Sequence, residues 1–267
     1  MMIIKINKKM NKKELIAYLN EYLQISEFKD SSKNGLQIDN TKEDIKKLGF
    51  AVDANAYIFE KAKEEWCDMV LSHHGIFWGH EETLTGIPYK RAKIMLDNDI
   101  CSYACHLPLD AHPEVGNNIG LARAFINIFG IQEGEYEIED FWEYNWKTIW
   151  FGLRLKHKIH VSNLVTPYAE RMQLLKRFYN FWNLTYLNSI AFVSGGALWQ
   201  VIDAKEKWYD VFVTGEWVHR EITLAKELGQ CILIWGHYET EKIWPKLLAY
   251  HLKDKFDLEI EFLDEKY

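Results

Sequence analysis

Apolar residues at Leu15, Ile16, Leu19, Tyr22 and Leu23 recur at helical spacing, which predicts an amphipathic helix over 11–24. Asn34-Gly35 is a turn signal ahead of an extended Leu36-Gln37-Ile38. Short apolar runs then alternate with longer amphipathic ones. The pattern predicts a strand over 48–53, a helix over 54–66 and a strand over 68–72, where Met69-Val70-Leu71 is too apolar to face water. A helix over 88–97 and a strand over 100–105 follow. Strands that alternate with helices imply a largely parallel sheet covered on both faces.

The second half repeats this grammar. Ala62-Lys63-Glu64-x-Trp66-x-Asp68 returns as Ala204-Lys205-Glu206-x-Trp208-x-Asp210, a constant offset of 142. Extending the match pairs Met69-Val70-Leu71-Ser72 with Val211-Phe212-Val213-Thr214 and sets His73 and His74 opposite Gly215 and Glu216. His106-x-x-x-Asp110 has a counterpart in His237-x-x-x-Glu241 at an offset of 131, so the first half carries a longer connection, around 77–89. The expected architecture is α/β: two similar lobes from an internal duplication, with mostly parallel sheets flanked by helices and a metal site in the cleft between them. The first lobe would span 1–130 and the second 151–267, with the helix after 242 packing back on the first. The acidic, aromatic stretch 131–150, with Glu133, Glu135, Glu137, Glu139, Phe141, Trp142, Trp146 and Trp150, reads as the crossing between them.

Composition narrows the function classes. The chain has 267 residues, enough for one large domain or two small ones, and 48% hydrophobic with 27% charged residues is an ordinary globular balance. A net charge of −7 argues against a duplex nucleic-acid binder, which usually carries a basic excess. The four cysteines, Cys67, Cys101, Cys105 and Cys231, form no Cys-x-x-Cys pair, and the basic Met1–Lys13 stretch lacks the apolar core of a secretory signal. No apolar run reaches the length of a membrane span. These features predict a cytoplasmic protein with no membrane partner.

Ligand sites of parallel sheets lie beyond the carboxyl ends of the strands. Four polar clusters sit at such ends: Ser72-His73-His74-Gly75, His106 to Asp110, Thr214-Gly215-Glu216, and Gly236-His237 to Glu241. Imidazole and carboxylate are the usual ligands of Zn, Fe and Mn. His73 and His74 are adjacent, so they point apart and suit two neighbouring ions; alone, they read better as exposed or hydrogen-bonded loop histidines, and the partner clusters shift the reading to ligands. His237 and Glu241 stand at i and i+4, on one face of a helix. The alternative is a solvated helix start, with Glu241 meeting the macrodipole. His106 and Asp110 share that spacing among Pro108 and Pro113, where Asp110 is either an aimed carboxylate or a simple turn residue. Glu216 is a proton shuttle, an outer group of the site or a surface residue. Ser194-Gly195-Gly196 suits a phosphate but reads better as a tight turn. His80, His112, His157, His160, His219 and His251 lack partners at ligand spacing and default to structural or surface roles. The tryptophans default to core or interface.

At these residues the chain resembles a known family, the Nif-three-like dinuclear-metal-centre proteins called GTP cyclohydrolase 1 type 2 homologues. The matching pieces are Asn34-Gly35-Leu36-Gln37, Ser72-His73-His74-Gly75, His106 to Pro113, Gly116-Asn117-Asn118, Thr214-Gly215-Glu216 and Gly236-His237-x-x-x-Glu241, in the family's order. The resemblance implies two divalent ions (Zn, Fe or Mn) held by His73, His74, Asp110, His237 and Glu241, with Glu241 bridging. It places His106 and Glu216 along the site, as candidates for moving protons. It also implies a homo-oligomer, often a hexamer, and the short interval before Trp150 implies the compact form without an inserted domain. A pair of ions sharing a water would make hydroxide available near neutral pH, so the expected activity is metal-dependent hydrolysis of a small anionic substrate, a nucleotide or other phosphate compound. The competing readings are a non-catalytic metal-binding regulatory or chaperone-like protein, and a ring-shaped scaffold for a protein or nucleic-acid partner.

Overall fold

The computed structural model describes residues 9–79, 83–144, 147–165 and 177–265. The chain divides into two compact units, residues 1–109 with 245–267, and residues 110–244. In chain order the first unit contributes β1 (Met10–Asn11), α1 (Lys12–Tyr22), β2 (Gly35–Ile38), β3 (Asp44–Ile45), β4 (Lys47–Asp53), α2 (Ala56–Glu64), β5 (Met69–His74), α3 (Gly86–Asp97) and β6 (Cys101–Ala104). The division falls inside α4 (Leu107–Ala111). The second unit follows with α5 (Asn117–Phe129), β7 (Tyr136–Tyr144), β8 (Lys147–His160), α6 (Ser162–Val165), β9 (Arg177–Tyr179), β10 (Tyr186–Phe192), α7 (Val201–Glu206), β11 (Val211–Thr214), α8 (His219–Leu228), β12 (Cys231–Ile234) and α9 (His237–Glu241). From α10 (Trp244–Phe256), which begins on the last residue of the second unit, the chain returns to the first, ending in β13 (Glu259–Phe262).

The first unit's main sheet runs β13-β4-β5-β6-β2, parallel except for β2, which lies antiparallel on β6. Its helices α1 and α2 start where side chains cap them. The Asn11 amide oxygen accepts from Lys13 N and Glu14 N at α1, and Asn55 accepts from Ile58 N at α2. Ile58, Phe59 and Ala62 of α2 pack with Val70 and Met95 in one apolar cluster. That interior stripe fixes α2 against the sheet.

The second unit's sheet runs β7-β8-β10-β11-β12-β9; β10, β11 and β12 pair in parallel, while β7 with β8, β8 with β10 and β12 with β9 pair antiparallel. The expectation of a mostly parallel sheet therefore holds for the first unit and not for the second. The expected crossing segment 131–150 is also corrected: it is edge strand β7, together with the start of β8. Tyr136 and Ile138 pack on the second core while Glu137 faces out, and register shifts near Asp140 and Trp142 bring Phe141 into full burial. The acidic residues belong to an edge strand and the turn before it rather than to a linker. The division accordingly falls at Asp110 instead of near 130, because Leu121, Ala122 and Phe125 of α5 belong to the core of Leu153, Phe192, Val211 and Trp235. Trp146 lies outside the described residues.

The sequence match between 62–68 and 204–210 is also a match of local structure. Both helices, α2 and α7, end in a Schellman turn with tryptophan in the left-handed region, Trp66 at φ 57° and Trp208 at φ 61°. Cys67 N donates to Ala62 O and Tyr209 N to Ala204 O, each at 2.9 Å. Asp68 then accepts from Lys46 N and Lys47 N, and Asp210 from Asn188 N and Ser189 N, so each carboxylate pins the strand beside it. Among the described residues no helix is long and apolar enough to cross a membrane.

Candidate metal centre

In the first unit three histidines gather at the carboxyl end of the parallel sheet. Strand β5 runs through His73 and His74, two residues beyond its expected end, and at that end both rings reach the same cluster. His73 is fully buried and its Nδ1–H donates to Cys105 O at 3.0 Å. His74 donates from Nδ1 to Asp53 Oδ1 at 2.8 Å, and Asp53 is its cross-strand partner on β4. His106 follows β6 and donates from Nδ1 to the Asp30 carboxylate at 3.0 Å. The ring centroids of His73 and His106 are 5.0 Å apart, and those of His73 and His74 4.7 Å. One ligand nitrogen from each of the three rings lies within 4.8 Å of the others. The donor set suits a divalent ion: in a metal site the second ring nitrogen of each histidine normally donates to a carboxylate or carbonyl, which fixes tautomer and aim.

The Asn34-Gly35-Leu36-Gln37 motif builds the frame around these rings. Gln37 Oε1 accepts from Ile76 N at 2.7 Å, which holds the loop leaving His74. Gly75 is glycine because a Cβ there would sit 2.3 Å from Gln37 Nε2 and 2.6 Å from Ala104 Cβ. Asn34 Oδ1 accepts from His106 N at 2.8 Å. Asp30, whose side chain is 2% exposed, takes further bonds from Leu107 N, Ser32 N and Asn34 Nδ2. Burial alone would raise its pKa, yet the bonds from His106, Asn34 and Ser32 hold it down at about 2.

That depression sets an acid limit on stability. A carboxyl with a lowered folded pKa stabilises the fold above its unfolded pKa, and the contribution disappears as pH falls through the folded value. Asp30 should therefore supply about 2 kcal/mol near neutral pH, lost between about pH 4 and 2. Urea midpoints measured from pH 6 to pH 2 should fall less steeply for Asp30→Asn than for wild type; parallel curves would refute this.

In the second unit the carboxylates are placed with equal care. Asp110, on short helix α4 where a loop was expected, accepts through Oδ1 from Ser194 Oγ at 2.8 Å and Asn117 Nδ2 at 3.0 Å. Asn118, fully buried, accepts from Ser194 N and donates to Asp110 O, tying α4 to the turn after β10. His237 and Glu241 share one face of α9, with His237 Nε2 3.1 Å from Glu241 Oε2 and Nδ1 2.9 Å from Glu216 Oε1. Burial lowers the His237 pKa, but the two carboxylates outweigh it and raise it to about 9. The helix expected to run on from His237 instead breaks, and Pro245 sits in the first turn of the separate α10, where its missing N–H costs nothing.

Other residues singled out by the sequence fall elsewhere. The turn at Ser194-Gly195-Gly196 lies against the Glu241 and Glu216 carboxylates, so a phosphate there would meet like charge. His112 Nδ1 accepts from Glu114 N and Val115 N, His251 stacks on Tyr22 with centroids 4.2 Å apart, and His160 bonds Ser162 Oγ. His157 and His219 stand in β8 and α8, outside the clusters described above. His80 lies outside the described residues. Trp235 and Trp244 are core, whereas Trp78 sets its edge on the His106 ring. Sequence reasoning missed Asp30 and Asp53. Asp53 ends a parallel strand, a position that could have flagged it; nothing in the spacing of Asp30 marks it.

The fold and these clusters define an α/β protein whose histidines and carboxylates are arranged as candidates for metal ligation. The chain belongs to the Duf34/NIF3 (NGG1p interacting factor 3) family, whose model matches residues 10–267. It is 37% identical over 256 residues to the "GTP cyclohydrolase 1 type 2 homolog" of Pyrococcus horikoshii, covering 96% of this chain and 98% of that protein. The protein of the same name from Archaeoglobus fulgidus is 34% identical over 255 residues, with the same coverage. Among solved structures, TTHA1606 from Thermus thermophilus matches with a TM-score of 0.80 at 33% identity, covering 97% of this chain and 99% of that one. A structure titled "protein ybgI, unknown function" matches with a TM-score of 0.86 at 28% identity over the same shares.

Proposed function

We propose that the chain is a metal-dependent hydrolase acting on a small anionic substrate, a nucleotide or other phosphate compound. His73, His74, Asp110, His237 and Glu241 would hold two divalent ions, Zn, Fe or Mn, and by likeness to the family Glu241 would bridge them. The observation that carries this reading is the histidine cluster, whose three Nδ1–H groups are each engaged by a fixed acceptor in the manner of a metal site. Bound ions would supply a Lewis acid and a water of lowered pKa. The chain's own residues do the rest. Ser194 and Asn117 orient Asp110. Glu216, with a side chain 60% exposed, is placed to carry protons to and from solvent, and His106 is the second group proposed to move them. The protein works in the cytoplasm as a homo-oligomer, a hexamer by likeness to its family.

The test is a turnover screen. Wild-type protein loaded separately with Zn, Mn or Fe(II) is incubated with nucleotides, GTP first because of the relatives' name, and with phosphate esters. Turnover that a chelator abolishes, and that Glu216→Gln lowers about 100-fold, is expected. Metal-loaded protein that transforms none of them would overturn the hydrolase reading and favour a regulatory metal-binding role.

A further inference from the structure

The Asp30 carboxylate does more than close a turn. A turn carboxylate needs only local donors, and Asp30 has two, Ser32 N and Asn34 Nδ2, each at 3.0 Å. It also receives Leu107 N at 2.9 Å and the Nδ1–H of His106, which comes within 3.0 Å of Oδ1 and 3.2 Å of Oδ2. Five donor contacts from four groups leave the carboxylate no freedom to turn, so the ring bonded to it is fixed as well. His106 is clamped from two more sides. Its backbone N–H donates to Asn34 Oδ1, and the Trp78 ring meets it edge-on with centroids 5.2 Å apart. The outcome matches His74 with Asp53 and His73 with Cys105 O: each ring donates through Nδ1, so its lone pair lies on Nε2. A ligand nitrogen of His106 lies within 4.8 Å of those of His73 and His74.

We infer that Asp30 is a positioning residue that locks His106 in the Nδ1–H tautomer, so that its Nε2 is presented beside the ligand nitrogens of His73 and His74 as a further nitrogen donor to the metal site. The inference rests on the metal-binding reading above and narrows the part of His106 in it, from proton carrier to nitrogen donor. Proton movement then falls to Glu216.

Two measurements test it. Long-range proton–nitrogen correlation of the histidine rings in metal-free wild type reads the tautomer directly and needs no variant. A proton on Nδ1 of His106 is expected; a proton on Nε2 overturns the proposal. The second is a double-mutant cycle of Zn2+ affinity over wild type, Asp30→Asn, His106→Ala and the double variant. Asp30→Asn should weaken Zn2+ binding about 10- to 100-fold in the wild-type background and add nothing once His106 is alanine. An equal loss in both backgrounds would mean that Asp30 acts only by holding its loop, and would overturn the inference while leaving the metal site in place. Wild-type protein that takes up no Zn2+ would instead sink the metal-binding reading, and the donor role with it. The tautomer measurement tells these failures apart.

Discussion

Gly215→Ala is expected to destabilise the second unit by about 3 kcal/mol. A Cβ at this position would sit 2.6 Å from Gly195 O, 2.7 Å from Thr240 Oγ1 and 2.8 Å from His237 Cα. Two of those atoms are backbone, so no rotamer change relieves the contact. Gly215 N donates to Gly195 O at 2.8 Å, and Gly215 O accepts from Gly236 N at 3.0 Å. Three segments, the turn after β10, the end of β11 and the start of α9, thus meet across a glycine with no room for a methyl group. Either the turn or α9 must retreat, and both carry proposed site residues or their supports. Thermal and urea midpoints check the prediction. A variant as stable as wild type would show that the turn yields freely.

Gly195→Ala should strike metal binding harder than stability. Its φ of +65° lies in the left-handed region, where a side chain costs roughly 1–2 kcal/mol. The added Cβ would stand 2.5 Å from Glu241 Oε1 and 3.3 Å from His237 Nε2. These are ends of side chains, so the fold accommodates the methyl group by pushing the carboxylate aside. Glu241 is only 3% exposed and has little room to retreat. If Glu241 bridges two ions as proposed, affinity for the pair should fall at least about tenfold. Calorimetric titration with Zn2+ gives the number, and unchanged affinity in a folded variant would argue that Glu241 is no ligand.

Much of this could be read from the chain alone. Helices α1 and α3 and strands β4 and β6 follow from apolar periodicity, to within two residues at their ends, because their burial pattern matches their local propensity. The strand-end histidines and the His237 to Glu241 spacing were legible for the same reason: helix and strand periods fix which side chains share a face. The second sheet was not. The stretch 131–150 is largely an irregular edge strand and the start of its partner, in which apolar and acidic residues alternate and the register shifts, so its composition read as that of a linker. The supports of the site were hidden for a different reason. Asp30 and His106 are 76 residues apart and Ser194 and Asp110 84 apart, so only the fold brings them together. The matching Schellman turns at Trp66 and Trp208 show the opposite case, in which a seven-residue match proved to encode a shared backbone conformation and a shared carboxylate clamp.

The central claim is that this chain holds divalent metal, and metal content tests it most directly. Wild type and Glu241→Ala, each purified without chelator or histidine tag, would be analysed for metal per chain before and after incubation with Zn, Mn or Fe(II). About two ions per wild-type chain, with most of them lost in Glu241→Ala, is the expected result. Wild-type protein that carries no metal and takes up none of the three would contradict the account.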